Sequence, residues 1–512
     1  MKSMANGFDN IRKPDIIEQL IEPVKPGKMV ILLFMVIFFF GCTKKVEHPT
    51  RVDRLPVIYP DYIGVTIPTG IAPLNFSVVD EGADAIDVVV RGSKGGELHI
   101  QGSYTDFDID DWHSLVKLNK GGKLTVTVCV EKSGQWTQYR DFPIMVSKYA
   151  LDEWGLTYRR IAPGYEVFSD MGLYQRDLSS FDEYAIIENT QVVGMCVNCH
   201  SACQTDPSRF VFHVRGNHGA TLFQIDGNRE LLKARNDLLG GSMVYPYWHP
   251  SGEYCAFSTN QTRQAFHVVH DERIEVFDLS SDVFVYKPET HEILTDSLLQ
   301  TKEWSENSPV FSPDGKTLYY MTCKQQDYPA HYKDEKYNLC KIDFDPTTGK
   351  FGEKVDTIFN AVKMGKSLTW PRPSYDGRYL MFTLIDYGYF SIWHQESDQW
   401  LLDLNTGEAR PMTVANSNKA DSYHNWNVNS HWFVFTSRRD DGYYSRLYLA
   451  SIDDNGKVSK PFMLPQRNPV DYYGKSMYSF NTPDFTKSKV EFDAYHAGRE
   501  ITSDKRIETK VR

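Results

Sequence analysis

The stretch FSPDGKTLYYMTC, residues 311–323, joins a Ser-Pro-Asp-Gly turn to a run of strand-forming residues, and related stretches recur through the second half of the chain. They are WHPSGEYCAFSTN (248–260), PSYDGRYLMFTLI (373–385), WNVNSHWFVFTSR (426–438) and FNTPDFTKSKVEF (480–492). Each is a polar turn followed by residues rich in Tyr, Phe, Leu or Val, which suit a pleated, half-buried surface. Aligned on Gly252, Gly315, Gly377, Ser430 and Phe485, the copies are 63, 62, 53 and 55 residues apart. Between them lies a second set of turns: KPETHEI (287–293), DPTTGKF (345–351), DLNTGEA (403–409) and DDNGKVS (453–459). Two hairpins per long repeat is the pattern of four-stranded propeller blades. RFVFHVRGNHGATLFQID (209–226) fits as one further blade, so six are predicted.

Working outward from the repeats, the N-terminal part also reads as β. LTVTVCV (124–130) alternates cleanly, with Leu124, Val126, Val128 and Val130 on one face. Short strand candidates near 63–67, 74–79, 86–91 and 97–101 are separated by Gly, Pro and Asp, as expected for a β-sandwich. The predicted organisation is a signal segment (1–41), a tether (42–55), an Ig-like β-sandwich (56–147), a connector (148–208) and a propeller (209–512). The fold class is therefore mostly β, consistent with an aromatic content of 13%.

The connector carries Cys196-Val-Asn-Cys199-His200, the C-x-x-C-H spacing of covalent haem c attachment. Two thiols two residues apart can add to the two vinyl groups of one haem, and the next imidazole can ligate iron. With 8 Cys and 15 His in 512 residues, about 0.004 such matches arise by chance. Cys196 and Cys199 are the expected attachment sites and His200 the proximal iron ligand. His213, on RFVFHVR, is the first candidate for the sixth position, ahead of His218, His249, Met195 and Met243. An alternative groups Cys196, Cys199, His200 and Cys203 around zinc, although adjacent ligands at 199 and 200 suit one tetrahedral ion poorly. A structural C-x-x-C is the third reading, and Cys323 and Cys340 flank a hairpin that a disulfide could close.

MVILLFMVIFFFG (29–41) precedes Cys42 and follows Lys25 and Lys28. It is too short for a comfortable span, which needs about twenty residues, and matches a signal-peptide core. Cys42 is then the expected lipidation site, placing the chain in the cell envelope, on the periplasmic face of the outer membrane. A formal net charge of −11 and pI near 5.8 exclude a nucleic-acid footprint.

The FSPDG-type repeat resembles the TolB-like six-bladed propeller, a WD40-like repeat, over about 209–500. The stretch 158–219 is similar to a Bacteroidetes-type lipoprotein family, in which PGYE and YQRDL segments lead into CVNCHS and then FHVRG. That resemblance implies a cytochrome c-like label, and hence haem, iron and electron transfer with a redox partner protein. The alternative is a binding or scaffold propeller that recognises a protein or glycan and in which the C-x-x-C-H stretch is structural. His249, His267, Asp386, His394, His424, Arg438 and Arg439 stand near turns that could line a central channel. No hydrolase nucleophile elbow is present.

Overall fold

A computed structural model describes residues 44–79, 82–162, 170–233, 235–236, 240–266 and 274–512. The apolar segment 29–41 and Cys42 lie outside the described residues. Lys45–Arg512 form one compact unit.

The N-terminal part is built on Lys123–Lys132, flanked on one side by Ala85–Gly92 and Glu97–Gly102 and on the other by Gln135–Gln138 and Phe142–Val146. Leu124, Val126, Val128 and Val130 are all buried, as their alternation predicts. The second layer differs from the expected sandwich. It consists of a two-stranded ribbon, Ile58–Tyr59 with Ser77–Val78, and a helix, Ile109–Leu118. Asp108 caps that helix by accepting from the amides of Asp110 and Asp111. Trp112, Leu115 and Val116 face the core, a stripe spanning barely more than one turn and too brief for a convincing helical period in the sequence.

Six sheets follow as blades, numbered I to VI along the chain; five have four strands, and the third has six because Arg235–Asn236 and Lys510–Val511 add to its edges. Blade I contributes Gly155–Ile161, Met171–Asp177 and Glu183–Glu188, so blade strands occupy the stretch read as a connector. Its innermost strand is Ser479–Thr486 from the far end of the chain, antiparallel to Gly155–Ile161. The repeat at 480–492 therefore closes the ring instead of starting a new sheet. Blade II begins with Met195–Cys203 as its innermost strand and continues through Asp206–Gly216, Ala220–Ile225 and Asn228–Lys233. Blades III to VI have Gly241–Trp248, Trp304–Phe311, Ser367–Pro373 and Asp421–Trp426 innermost. The C-x-x-C-H stretch thus lies inside the propeller, on the wall of its axis.

The innermost strands share a device that the turns alone do not reveal. Each carries one residue with φ near +50°: Cys199, Tyr245, Ser308, Trp370, Tyr423 and Thr482. Each strand's pairing with its neighbour shifts at that place, which marks a β-bulge. The next residue is Pro246, Pro309, Pro371 or Pro483 in four blades, and His424 or His200 in the other two. Proline suits a bulge because the ladder is already interrupted there. In blades III to VI the turn residue Gly252, Gly315, Gly377 or Ser430 stands seven positions after the bulge, again at positive φ. On that spacing the copy in blade I aligns at Lys489, four residues beyond Phe485.

Gly315 also locks two blades together. His249 Nε2 donates to its carbonyl at 3.0 Å, and the Nδ1 side meets Ser251. A Cβ on Gly315, at φ +71°, would stand 2.1 Å from His249 Nε2. Gly315→Ala is expected to cost roughly 3 kcal/mol, combining left-handed strain with displacement of the imidazole. Urea unfolding should show a lower midpoint with an unchanged slope.

Candidate functional site: a cationic, aromatic central channel

The bulges turn side chains into the axis of the ring. Cys199, Tyr245, Trp370, Tyr423 and Thr482 all border one cavity of about 840 Å³. Its wall combines aromatic faces with four guanidinium groups, Arg159, Arg215, Arg372 and Arg438, from blades I, II, V and VI. Asp484 is the one carboxylate among the described lining residues.

The cations are held by aromatic rings and sulfur atoms. Arg372 is buried, lies 4.0 Å from the centre of the Trp370 ring and 5.5 Å from that of Tyr247, and donates through Nη1 to the Pro371 carbonyl. Its Nε has no hydrogen-bond partner. Burial pulls its pKa down to about 10, partly opposed by Tyr247 and Asp484. Arg159 donates to Met171 Sδ and Cys196 Sγ at 3.3 and 3.4 Å, and its Nε is likewise unpartnered. Arg438 stacks 3.9 Å over Trp393. Arg159, Arg215 and Arg372 form no ion pair with a described carboxylate. Arg372 is buried whereas Arg159 is partly and Arg215 largely exposed; an unpaired charge is costly at the buried position, and a bound anion removes that cost.

Asp484 accepts from Asn425 Nδ2 at 2.7 Å and from the Ala202 amide at 3.3 Å. Burial raises its pKa to about 6, with the Ala202 amide and Arg372 working the other way. The group is charged above that pH and opposes an incoming anion; below it the opposition disappears. Affinity for an anionic ligand should therefore rise as pH falls from 7 to 5, and Asp484→Asn should flatten the profile and tighten binding at pH 7. The same raised pKa sets a stability sign: Asp484's contribution is fully present below the ordinary carboxylate value and is lost as pH rises through about 6.

The structure brings together only part of the predicted site. Cys196, Cys199 and His200 all border the cavity. Cys199 is partly exposed, whereas the other described cysteines are buried, and every described cysteine is a free thiol. Burial raises the Cys199 pKa, which Arg215 moderates. The His200 ring lies 6.0 Å from Phe210, its nitrogens are both buried, and neither makes a hydrogen bond. Burial lowers its pKa to about 4. His213 does not border the cavity. It faces Asn198 across the ladder, and its Nδ1 meets Thr221 Oγ1 at 3.2 Å.

The other expectations separate in the same way. Cys203 turns toward the His249 carbonyl, away from Cys196, and no group of three or more potential ligands that could hold a metal occurs among the described residues. The zinc grouping is thus not formed. Cys340 pairs with Tyr320 across the ladder while Cys323 faces Ser305, so that pair is not bridged. His218 meets Asp504, His249 serves its turn, and Met195 and Met243 lie in separate blade cores. Of the turn residues proposed for the channel, Arg438 borders it. Asp386 pairs with Lys366, His394 with Glu396, and Arg439 with Asp421. His424 is buried at its bulge, and His267 lies outside the described residues. The sequence reading missed Arg159, Arg215 and Arg372; the repeated bulge followed by Pro or His was the signal pointing to the channel wall.

Fold and site together define a six-bladed β-propeller with a basic, aromatic central channel. No family model matches the chain, and no curated protein matches it. Solved structures similar to it include an oligogalacturonate lyase in complex with manganese, with 12% identity over 61% of this chain and 74% of that one, at a TM-score of 0.34. A Mycobacterium tuberculosis puromycin-hydrolyzing peptidase has 11% identity over 79% of this chain and 57% of its own, also at 0.34. An oligogalacturonate lyase from Vibrio parahaemolyticus has 11% identity over 75% and 97%, at 0.33. Scores and identities this low carry no functional argument.

Proposed function

We propose that the protein is a ligand-binding propeller of the cell envelope, anchored by lipid at Cys42, whose central channel takes a negatively charged, ring-bearing ligand of the acidic-sugar class. The observation that carries this reading is the set of guanidinium groups, Arg159, Arg215 and Arg372, gathered on a cavity wall whose described lining holds a single carboxylate, Asp484. A ligand carboxylate supplies the missing charge through charge-assisted hydrogen bonds, which are the strong ones. Aromatic side chains on the wall, Trp370 and Tyr423 among them, offer apolar edges to a pyranose ring. Hydrolysis by a pair of carboxylates has only Asp484 to draw on among the described lining residues, which favours binding over cleavage. Calorimetry with a uronic-acid tetrasaccharide and a neutral tetrasaccharide of the same linkage tests the reading. Binding of the acidic sugar alone is expected; equal or absent binding would count against it.

A second reading is covalent haem c, with electron transfer to a redox partner protein. It is favoured by Cys196 and Cys199 bordering the same cavity, where the guanidinium groups would face two propionates. When bound, haem supplies one-electron chemistry. The thiols suit this group; of the expected iron ligands, His200 borders the cavity with both ring nitrogens buried and unbonded, and His213 lies on the next strand, away from it. His200 instead occupies a bulge position filled by proline in four other blades. A pyridine haemochrome spectrum and intact mass after expression with haem-attachment machinery decide it. No haem is expected; a covalent adduct that disappears in Cys196→Ser/Cys199→Ser would establish the second reading.

A further inference from the structure

Behind the channel wall, at the seam of blades III and IV, two carboxylates are buried with one oxygen each left bare. Asp278 stands on the strand Ile274–Lys287 of blade III. Glu335 lies in the loop between Thr317–Lys324 and Asn338–Asp345 of blade IV. They are 0% and 1% exposed. Asp278 Oδ2 accepts from Asn260 Nδ2 at 2.8 Å, Asn307 Nδ2 at 3.0 Å and the Tyr337 hydroxyl at 3.2 Å. The Tyr337 hydroxyl also meets Glu335, as does that of Tyr328, so one phenol touches both acids. Asp278 Oδ1 and Glu335 Oε1 have no hydrogen-bond partner, and neither carboxylate forms an ion pair with a described residue. Lys336, next to Glu335, turns its ammonium to the carbonyls of Gly365 and Asp386. Buried carboxylates in native proteins are paired or hold a metal ion, and a bare oxygen marks the place where a partner belongs.

We propose that Asp278 and Glu335 bind a hard divalent cation of the calcium class through these two oxygens. Two carboxylates balance one divalent charge, and the groups around them favour an ion that prefers oxygen. Ser281 Oγ beside Asp278 is a further buried oxygen without a partner. The neighbouring Cys323 thiol is engaged by the Lys324 carbonyl and the Lys336 amide. Glu275, which accepts from the Tyr387 hydroxyl at 3.1 Å, adds negative potential at Glu335. Burial pushes the Asp278 carboxyl up to about 7, and burial together with Asp278 pushes that of Glu335 well up. The ion removes this cost and ties the two blades together behind Asn260, which borders the channel. The site is separate from the arginines and does not depend on the acidic-sugar reading.

The test is titration of the chelator-treated protein with terbium(III), whose emission is excited through the adjacent tyrosines, and with calcium in thermal unfolding. Emission from the wild type is expected to saturate at one ion per chain and to be reversed by excess calcium. Saturating calcium should raise the wild-type melting temperature by about 2–5 °C. Asp278→Asn and Glu335→Gln should each weaken terbium binding at least tenfold and abolish the calcium shift. Without calcium both should melt at or above the wild-type temperature, because an uncompensated buried charge is gone. Terbium titrations that both substitutions leave unchanged would place the ion on the surface and overturn the proposal. Absence of saturating emission and of a calcium shift in the wild type would also overturn it, leaving the two acids to share a proton. The wild-type measurements do not depend on either variant folding.

Discussion

Arg372→Met is expected to reduce affinity for an acidic oligosaccharide by roughly 30- to 1,000-fold, corresponding to about 2–4 kcal/mol for a buried charged contact. The side chain is enclosed between Trp370 and Tyr247, its Nε has no partner, and burial already holds its pKa at about 10. In the empty protein the charge is a burden, so Met, which keeps the unbranched stem, should leave thermal stability unchanged or raise it. Loss of binding without loss of stability is the signature of a ligand-directed cation. A variant that unfolds more readily and still binds would show that Arg372 is structural.

Phe485→Ala should destabilise the whole unit by about 3–5 kcal/mol. Phe485 is fully buried on the closing strand, opposite Leu156 in the ladder, in a core shared with Val126, Trp112 and Trp432. That core joins the N-terminal sheet to blades I and VI, so loosening the closure is felt on both sides. A single cooperative transition with a lower midpoint is expected in urea. Two separated transitions would mean that the N-terminal sheet holds together without the closed ring.

The propeller was legible because its turns repeat. Gly252, Gly315 and Gly377 mark equivalent positions where positive φ is needed, and Ser430 adopts the same conformation without glycine. Blades I and II were harder to read. Their strands share no Ser-Pro-Asp-Gly turn, blade II turning instead through Gln204 and Thr205 at positive φ. Blade I is assembled from segments some three hundred residues apart, which no local pattern records. The C-x-x-C-H stretch lies on the wall of the channel for a different reason. Its last two residues stand where other blades have Tyr-Pro, Ser-Pro, Trp-Pro, Tyr-His and Thr-Pro. The arginines were invisible in sequence because each comes from a different blade and only ring closure gathers them.

The most direct measurement is the alkylation rate of Cys199, followed by peptide mass spectrometry with and without a saturating uronic-acid tetrasaccharide. Cys199 borders the channel and is the one described cysteine that is not buried. Ligand in the channel should slow its modification at least fivefold, whereas a neutral tetrasaccharide should have no effect. An unchanged rate under conditions where calorimetry shows the acidic sugar bound would place the binding site elsewhere and contradict the account.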